Sequence, residues 1–140
     1  MSSRSQQMLR NKGRMMTDSF VRIPHHVINH EHFRSLSPRA TKLLIDLLAQ
    51  YRGYNNGDLA ATLKMMRERG WNSSDQLNKA KNELVKSRVI IVTRQGGLNK
   101  CSLYAVTFFS IDECNGKLDV ASTITAPVNW KKDFPVRPAE

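Results

Sequence analysis

The stretch SSDQLNKAKNELVKS, residues 73–87, decides the fold. Ser73 and Gln76 have the spacing of a capping box, in which the serine and glutamine side chains satisfy N–H groups at the start of a helix. Three apolar residues follow at intervals of three and four positions, namely Leu77, Ala80 and Leu84. This spacing matches one face of a helix. The stretch therefore predicts an amphipathic helix that runs to about Ser87.

Two further helices are predicted before this stretch. Ser37-Pro38 begins the first, because serine caps free N–H groups and proline suits the first helical position. Its apolar residues form a single stripe: Ala40, Leu43, Leu44, Leu47, Leu48 and Tyr51. The second helix is predicted over about Ala60 to Arg69, and Gly70 can take the left-handed conformation that ends a helix. Asp58-Leu59-Ala60 has a second interpretation, as a short strand added to a sheet.

Two strands are predicted after the stretch. Val89 to Arg94 is a β-branched run, and Ser102 to Phe109 is rich in aromatic and β-branched residues. The segment between them contains Gly96-Gly97, which indicates a hairpin loop. Near the N-terminus, Phe20 to Ile23 predicts a short strand, and Pro24 opens a weakly helical segment.

The order of these elements indicates a fold class. Helix, helix, short turn, helix and β-hairpin is the layout of a winged helix-turn-helix. We therefore predict an α+β domain over residues 18–110, with a three-helix core and a β-hairpin wing. Residues 1–17 are predicted to be a basic flexible arm, because they contain too few apolar residues to offset the entropy of ordering. Residues 111–140 are predicted to be an extended tail.

The tail contains large apolar residues, which are Leu118, Val120, Ile124, Val128, Trp130 and Phe134. Exposing such side chains to water is unfavourable. We therefore predict that the tail packs as a strap, either on its own domain or on a second subunit. The alternative is a disordered tail whose apolar residues have no partner.

Charge is the strongest compositional signal. The 140 residues include 22 Lys and Arg against 12 Asp and Glu, a formal net charge of +10, so polyanions are the expected partners. No run approaches the ~18 apolar residues that a membrane span needs. The N-terminal residues also lack the apolar core of a signal peptide. We therefore expect a cytoplasmic protein that does not bind a membrane.

The predicted third helix turns a polar face away from the core. The residues predicted to contact DNA are Ser74, Asp75, Asn78, Lys79, Asn82 and Lys86 on this helix, and Arg94, Asn99 and Lys100 on the hairpin. Asparagine can bond adenine, lysine can bond guanine or a phosphate, and the helix N-terminus offers N–H groups to a phosphate. The face has little acid, namely Asp75 and the flanking Glu83. The alternative is that these are the ordinary residues of a solvated helix.

Motifs for catalysis and metal binding are weak. Cys101 and Cys114 form no C-x-x-C pair and are expected to be reduced thiols. His30-Glu31-His32 matches the first part of a His-x-His metal motif, but it precedes the main helix and lacks a strand-rich nuclease scaffold. No catalytic set, P-loop or glycine-rich dinucleotide turn is present. We therefore expect no enzyme activity, no metal and no cofactor.

Several segments resemble a family of small helix-turn-helix proteins found in phages, plasmids and integrated mobile elements of proteobacteria. The segments are NNGDL, MMRERGW, SSDQLNKAKNELVKS, TRQGG, SLYAVTFFSIDE and NGKLDV, and the resemblance covers about residues 20–130. It implies a winged-helix fold and a mobile-element setting. It implies no molecular function, because the family has none assigned.

These observations favour sequence-specific binding of double-stranded DNA, as a transcriptional regulator or a replication accessory protein of a mobile element. A homodimer on a two-fold symmetric site is expected, since one short helix contacts too few base pairs for specificity. The alternative is a protein-interaction adaptor in a replication or host-interference complex, with the hairpin and tail as docking surfaces. Salt distinguishes the two, because DNA affinity falls steeply with ionic strength.

Overall fold

The computed structural model describes residues 18–132 and has an α+β architecture. The five α-helices of this part of the chain are α1 (His25–Ile28), α2 (Glu31–Arg34), α3 (Pro38–Leu48), α4 (Leu63–Met66) and α5 (Ser74–Lys86). The three strands are β1 (Leu59–Ala60), β2 (Ile90–Arg94) and β3 (Leu103–Val106). Short 3-10 turns cover Arg67–Arg69 and Cys114–Gly116. The predicted arm, residues 1–17, lies outside the described residues.

The two main helices begin where their caps predict. The Ser37 hydroxyl accepts a hydrogen bond from the Ala40 N–H at the start of α3. The Ser73 hydroxyl accepts one from the Gln76 N–H at the start of α5. The predicted capping box is only half formed, because the Gln76 side chain accepts a hydrogen bond from Arg39 of α3 instead. The hydrogen bond between Arg39 and Gln76 joins the first turn of α5 to α3.

The predicted second helix is shorter than its sequence pattern. Leu59 and Ala60 form β1, which confirms the strand interpretation of this segment. α4 begins at Leu63, where the Thr62 side chain is the cap, and the following 3-10 turn ends at Gly70. Gly70 has a φ of +94°, the predicted left-handed conformation. The helix begins late because β1 pairs antiparallel with β3.

The strands form an antiparallel sheet in the order β1-β3-β2. β2 and β3 are the predicted hairpin, and a register shift between Val92 and Arg94 marks a bulge near the loop. Asn56 is buried, and its side chain takes the place of a further strand residue beside β3. Its carbonyl oxygen accepts from the Val106 N–H at 2.9 Å, and its amide donates to the Val106 carbonyl at 3.0 Å. Backbone groups that would otherwise lack a partner are thereby satisfied.

No strand forms at Phe20 to Ile23, so that prediction is wrong. The outer edge of β1 is already occupied, because the Gln50 side chain bonds both backbone groups of Ala60, at 2.7 and 2.9 Å. Phe20 is 64% exposed, while Ile23 packs against the core. A β-branched run becomes a strand only where it finds an edge to pair with. The segment after Pro24 is helical, but it divides into α1 and α2.

The core lies between α3, α5 and the sheet. The predicted stripe of α3 is buried except for Tyr51, which lies past the end of the helix and stacks on Phe109. The buried face of α5 is the predicted one, consisting of Leu77, Ala80 and Leu84.

α3 and α5 contain 11 and 13 residues, and no helix within residues 18–132 is long and apolar enough to cross a membrane.

The tail packs on its own domain. The Asp119 N–H donates to the Thr93 carbonyl at 2.8 Å, and the Val128 N–H donates to the Thr107 carbonyl at 3.4 Å. The Trp130 indole N–H donates to the Thr107 hydroxyl at 3.1 Å. These bonds fix the tail along the hairpin as an extended strap.

The apolar side chains of the tail differ in burial. Val128 and Trp130 are buried in the core. Ile124, in contrast, is 99% exposed, and Val120 is 37% exposed. The prediction of a strap therefore holds for its last described part and not for the whole apolar set, and Phe134 lies outside the described residues.

Candidate nucleic-acid interface

α5 carries most of the predicted contact residues on its outer side. Its buried face fixes the rotation of the helix about its axis. Five predicted residues are then exposed, namely Asp75, Asn78, Lys79, Asn82 and Lys86, and Ser74 is exposed in the first turn. The helical repeat places the five within an arc of about 100°. The structure thus brings these side chains together on one continuous surface.

Two of the predicted contact residues are paired with each other. Lys79 Nζ lies 3.0 Å from the Asp75 carboxylate, and both side chains are more than half exposed. An ion pair this open contributes little stability and competes with water and other ions. Asp75 lowers the positive charge of the first half of α5, but Lys79 can still exchange its carboxylate for a phosphate.

Glu83, the other acidic residue of α5, is turned inward. Its carboxylate accepts hydrogen bonds from the Ser37 N–H and the Ser37 hydroxyl, each at 2.7 Å. The sequence predicts Glu83 to be an acidic residue beside the contact face. In the structure Glu83 instead joins α5 to Ser37, the cap of α3. Of the α5 residues, only Asp75 therefore brings negative charge to the outer side.

A buried carboxylate holds the turn that leads into α5. Asp46 of α3 accepts hydrogen bonds from Lys42 Nζ, Arg69 Nε and Trp71 Nε1, each at 2.7 Å. Lys42 and Arg69 are about half exposed, whereas Trp71 is buried in the core. Trp71 is thus a packing residue, as its position before the helix cap predicts. The turn from Gly70 to Ser73 is held against α3 through this carboxylate.

The surroundings of Asp46 also set its acidity. Burial by itself raises the pKa of the Asp46 carboxyl group, but hydrogen bonds from Lys42, Arg69 and Trp71 outweigh burial. The pKa of Asp46 therefore lies below its ordinary value of 3.8. Asp46 is charged at neutral pH, so it balances two cations beside the turn.

The hairpin loop exposes two of its three predicted residues. Asn99 and Lys100 are exposed, and Asn99 has a φ of +55°, which asparagine tolerates better than most residues. The Gly97 N–H donates to the Lys100 carbonyl at 2.9 Å and closes the loop. Leu98 at the tip is 93% exposed. The loop therefore presents polar, cationic and apolar groups together.

Arg94, the third predicted hairpin residue, braces the hairpin itself. Its guanidinium donates to the Cys101 carbonyl, from Nη2 at 2.9 Å and from Nε at 3.3 Å. Arg94 is half-buried, so part of its hydrogen-bonding capacity is used within the chain. The structure separates Arg94 in this way from the exposed Asn99 and Lys100.

Further basic side chains lie outside the predicted set. Lys64 and Arg67 are exposed on α4 and the 3-10 turn that precedes α5. Lys81 lies on the flank of α5 that faces the hairpin, with its Nζ 3.4 Å from the Ala61 carbonyl. The prediction of contact residues does not include Lys81, because this residue directly follows the buried Ala80 in the sequence. Lys81 and Val85 lie four positions apart and therefore share one flank of the helix, between its buried and outer sides. This spacing is the signal that could have identified Lys81.

The histidines before α3 serve local structure. His30 Nδ1 accepts a hydrogen bond from the His32 N–H at 3.1 Å, which caps α2. The His32 ring nitrogen lies 3.3 Å from the Ser87 carbonyl, and the His30 ring centroid lies 5.1 Å from that of Trp130. These contacts join α2 to the end of α5 and to the tail. Within residues 18–132, no group of three or more His, Cys, Asp or Glu side chains is placed to hold a metal ion.

Comparisons with known proteins found no relative. No protein-family model matches the chain. No curated protein and no solved structure gives a significant match either. The function must therefore be inferred from the residues of this chain.

Proposed function

We propose that this chain is a winged helix-turn-helix protein that binds double-stranded DNA in a sequence-specific manner. The element order supports the fold, because a long helix, a short strand, two more helices and a β-hairpin follow one another from α3 to β3. The sheet order β1-β3-β2 agrees with it, since the isolated first strand joins the hairpin at β3. The short turn between the 3-10 segment and α5 is the turn of the motif.

The observation that carries the proposal is the polar outer side of α5. Asn78 and Asn82 are exposed one turn apart, with Lys79 and Lys86 beside them. An asparagine amide can make two hydrogen bonds to adenine in the major groove, and a lysine can bond guanine or a phosphate. A helix about 10–12 Å wide fits a major groove of about 12 Å. α5 therefore has both the shape and the chemistry of a recognition helix.

In the proposed mechanism α5 reads bases while its flanks hold the backbone. The N–H groups of the first turn, at Ser74, suit a phosphate, and Asn99 and Lys100 of the hairpin reach a neighbouring one. Two copies on a two-fold symmetric site would double the bases read, so we propose a homodimer. The resemblance to small proteins of phages and plasmids supports only a mobile-element setting, and in that setting we propose a role as a transcriptional regulator or a replication accessory protein.

Selection from a random pool of duplex DNA tests this proposal. The full-length protein should enrich a common motif, and its affinity for that motif should fall steeply with salt. A variant with Asn78→Ala and Asn82→Ala is the matched control, because it keeps every charge and replaces two exposed residues. It should enrich no motif. A folded wild-type protein that enriches no sequence contradicts the proposal.

A second candidate function is a protein-interaction adaptor. Two exposed apolar side chains favour it, Leu98 at the hairpin tip and Ile124 in the tail, which are 93% and 99% exposed. Isolated apolar residues are common on soluble proteins, so the outer side of α5 is the stronger observation. Leu98→Ser combined with Ile124→Ser should leave DNA binding unchanged. Loss of a salt-resistant protein complex in this variant would favour the adaptor.

A further inference from the structure

A cleft separates α5 from the hairpin. It is lined by Lys81, Asn82, Val85 and Lys86 of α5, and by Val92, Gln95, Ser102 and Tyr104 of the hairpin. A second hollow shares Lys81, Ser102 and Tyr104 with it and reaches Ala61 and Thr62, just after β1. Because Asn82 and Lys86 also belong to the outer side of α5, the cleft opens onto the proposed DNA-binding surface.

Lys81 is the cation that the two hollows share. It is half-buried, and its ammonium donates a long hydrogen bond of 3.4 Å to the Ala61 carbonyl. The carboxylates within residues 18–132 that form ion pairs do so with other cations, and none lies within ion-pair distance of Lys81. Burial lowers the pKa of Lys81. A cation partly removed from water without a counterion is unfavourable, and an anion in the cleft would relieve that cost.

The opposite wall of the cleft is fixed and carries no negative charge. The Ser102 hydroxyl accepts from the Gly96 N–H at 2.9 Å. Burial raises the pKa of the Tyr104 phenol, so it keeps its proton at neutral pH. The described linings of the two hollows include no acidic residue. The cleft is therefore cationic on the α5 side and uncharged on the hairpin side.

We propose that this cleft is a phosphate-binding site, in which Lys81 and Lys86 hold a phosphodiester of the DNA backbone while the outer side of α5 faces the bases. The inference rests on the proposed DNA-binding function and adds a backbone contact to it. Asn82 lines the cleft together with Lys81 and Lys86, so a strand read by Asn82 would pass the mouth of the cleft. Since a phosphate carries no base information, Lys81 contributes equally on every sequence.

Replacement of Lys81 by methionine tests the site, because methionine keeps an apolar stem and removes the charge. Full-length proteins are titrated with a labelled duplex of random sequence between about 50 and about 200 mM salt. Lys81→Met should lose about one unit of the slope of log K against log salt, and roughly tenfold in affinity near 0.1 M salt. Lys81→Arg keeps the charge and should retain the slope.

Lys131→Met is the matched control, because it removes the same charge from an exposed residue that lines a different hollow, next to Trp130. It should change the slope and affinity much less. The melting temperature of Lys81→Met should fall little, because the substitution breaks no ion pair and removes one long hydrogen bond of 3.4 Å. If the wild type binds duplex and Lys81→Met behaves like Lys131→Met, the cleft proposal is overturned while the proposed function stands.

Inorganic phosphate distinguishes a backbone phosphate from a free one. A wild type that does not bind duplex, but whose melting temperature rises with inorganic phosphate while that of Lys81→Met does not, overturns both DNA binding and the backbone contact in favour of a free phosphate ligand. A wild type that responds to neither probe overturns the phosphate site altogether. Binding of duplex with the predicted loss in Lys81→Met supports the backbone contact.

Discussion

Replacing Asp46 with asparagine should weaken the support of the turn before α5. The substitution preserves the shape of the side chain, removes its charge, and turns one hydrogen-bond acceptor into a donor. Lys42, Arg69 and Trp71 all donate to the Asp46 carboxylate. The new amide N–H group must therefore face at least one of these donors, and at least one hydrogen bond is lost.

The magnitude follows from the exposure of the three partners. The side chains of Lys42 and Arg69 are 50% and 46% exposed, so water can replace the carboxylate, and each lost pair costs ~0.2–1 kcal/mol. Trp71 is 7% exposed, and a buried N–H without a partner costs ~1–3 kcal/mol. Lys42 and Trp71 share Oδ2, whereas Arg69 alone uses Oδ1, so the new amide turns its nitrogen towards Arg69 and its oxygen stays with Trp71. We expect Asp46→Asn to lower the free energy of unfolding by about 1–2 kcal/mol. The melting temperature should fall by roughly 5 °C.

Urea denaturation followed by far-ultraviolet circular dichroism measures this change. Trp71→Phe is the matched variant, because it removes the indole N–H and keeps an aromatic ring. Asp46→Asn weakens the hydrogen bond to Trp71 by removing the charge of the acceptor, and Trp71→Phe removes this bond altogether. Their effects should therefore overlap by about 1 kcal/mol in the double variant. An Asp46→Asn protein within about 0.5 kcal/mol of wild type, or fully additive effects, would refute the reasoning.

Acid gives an independent check of the same group. The folded-state pKa of Asp46 lies below its ordinary value of 3.8, so the stability that its charge contributes is complete above that value and is lost as the pH falls through the folded-state pKa. The stability difference between wild type and Asp46→Asn should therefore shrink below about pH 4. A difference that stays constant to the lowest pH at which both proteins fold would exclude a charged role.

Three other changes test the interface and the tail. Asn78→Ala or Asn82→Ala should weaken binding to a selected site by ~1–3 kcal/mol and leave binding to random duplex unchanged; equal losses in anisotropy titrations on both duplexes would exclude base reading. Lys100→Glu should lower the affinity for DNA of every sequence without changing the melting temperature. Arg94→Ala should lower the melting temperature, because the Arg94 guanidinium braces the hairpin. An unchanged melting temperature of Arg94→Ala would contradict this bracing role. Truncation after Asp112 removes the buried side chains of Val128 and Trp130, each of which stabilises the fold by ~1.5–3 kcal/mol. The truncated protein should melt at a lower temperature, and light scattering reports its mass. An unchanged melting temperature would show that the strap adds no stability.

Local signals predicted the helices well. Ser37 and Ser73 cap helices through hydrogen bonds to N–H groups three residues away, and such contacts are encoded within one turn of sequence. The apolar faces of α3 and α5 follow from spacing for the same reason. The outer side of α5 was predictable too, because the buried face fixes what lies opposite.

Contacts between distant segments were not predictable. Phe20 to Ile23 has strand-like composition, yet sequence gives no sign that Gln50 occupies the edge of β1. Asn56 suggests a turn residue, and its burial depends on Val106, which lies 50 positions away. Lys81 becomes a candidate binding residue only because the hairpin forms the opposite wall of its cleft. Each of these features needs a second segment whose position a one-dimensional pattern does not specify.

The contact between His30 and Trp130 places a constraint on biosynthesis. The rings lie 5.1 Å apart, and Trp130 also packs against Phe108 at 6.1 Å. The ribosome makes His30 about 100 residues before Trp130, so this corner of the core stays uncovered until the later segment emerges. Contacts of such long sequence separation form slowly, and incomplete chains expose apolar surface to proteases and aggregation. A product that terminates before Trp130 therefore leaves this corner of its core open.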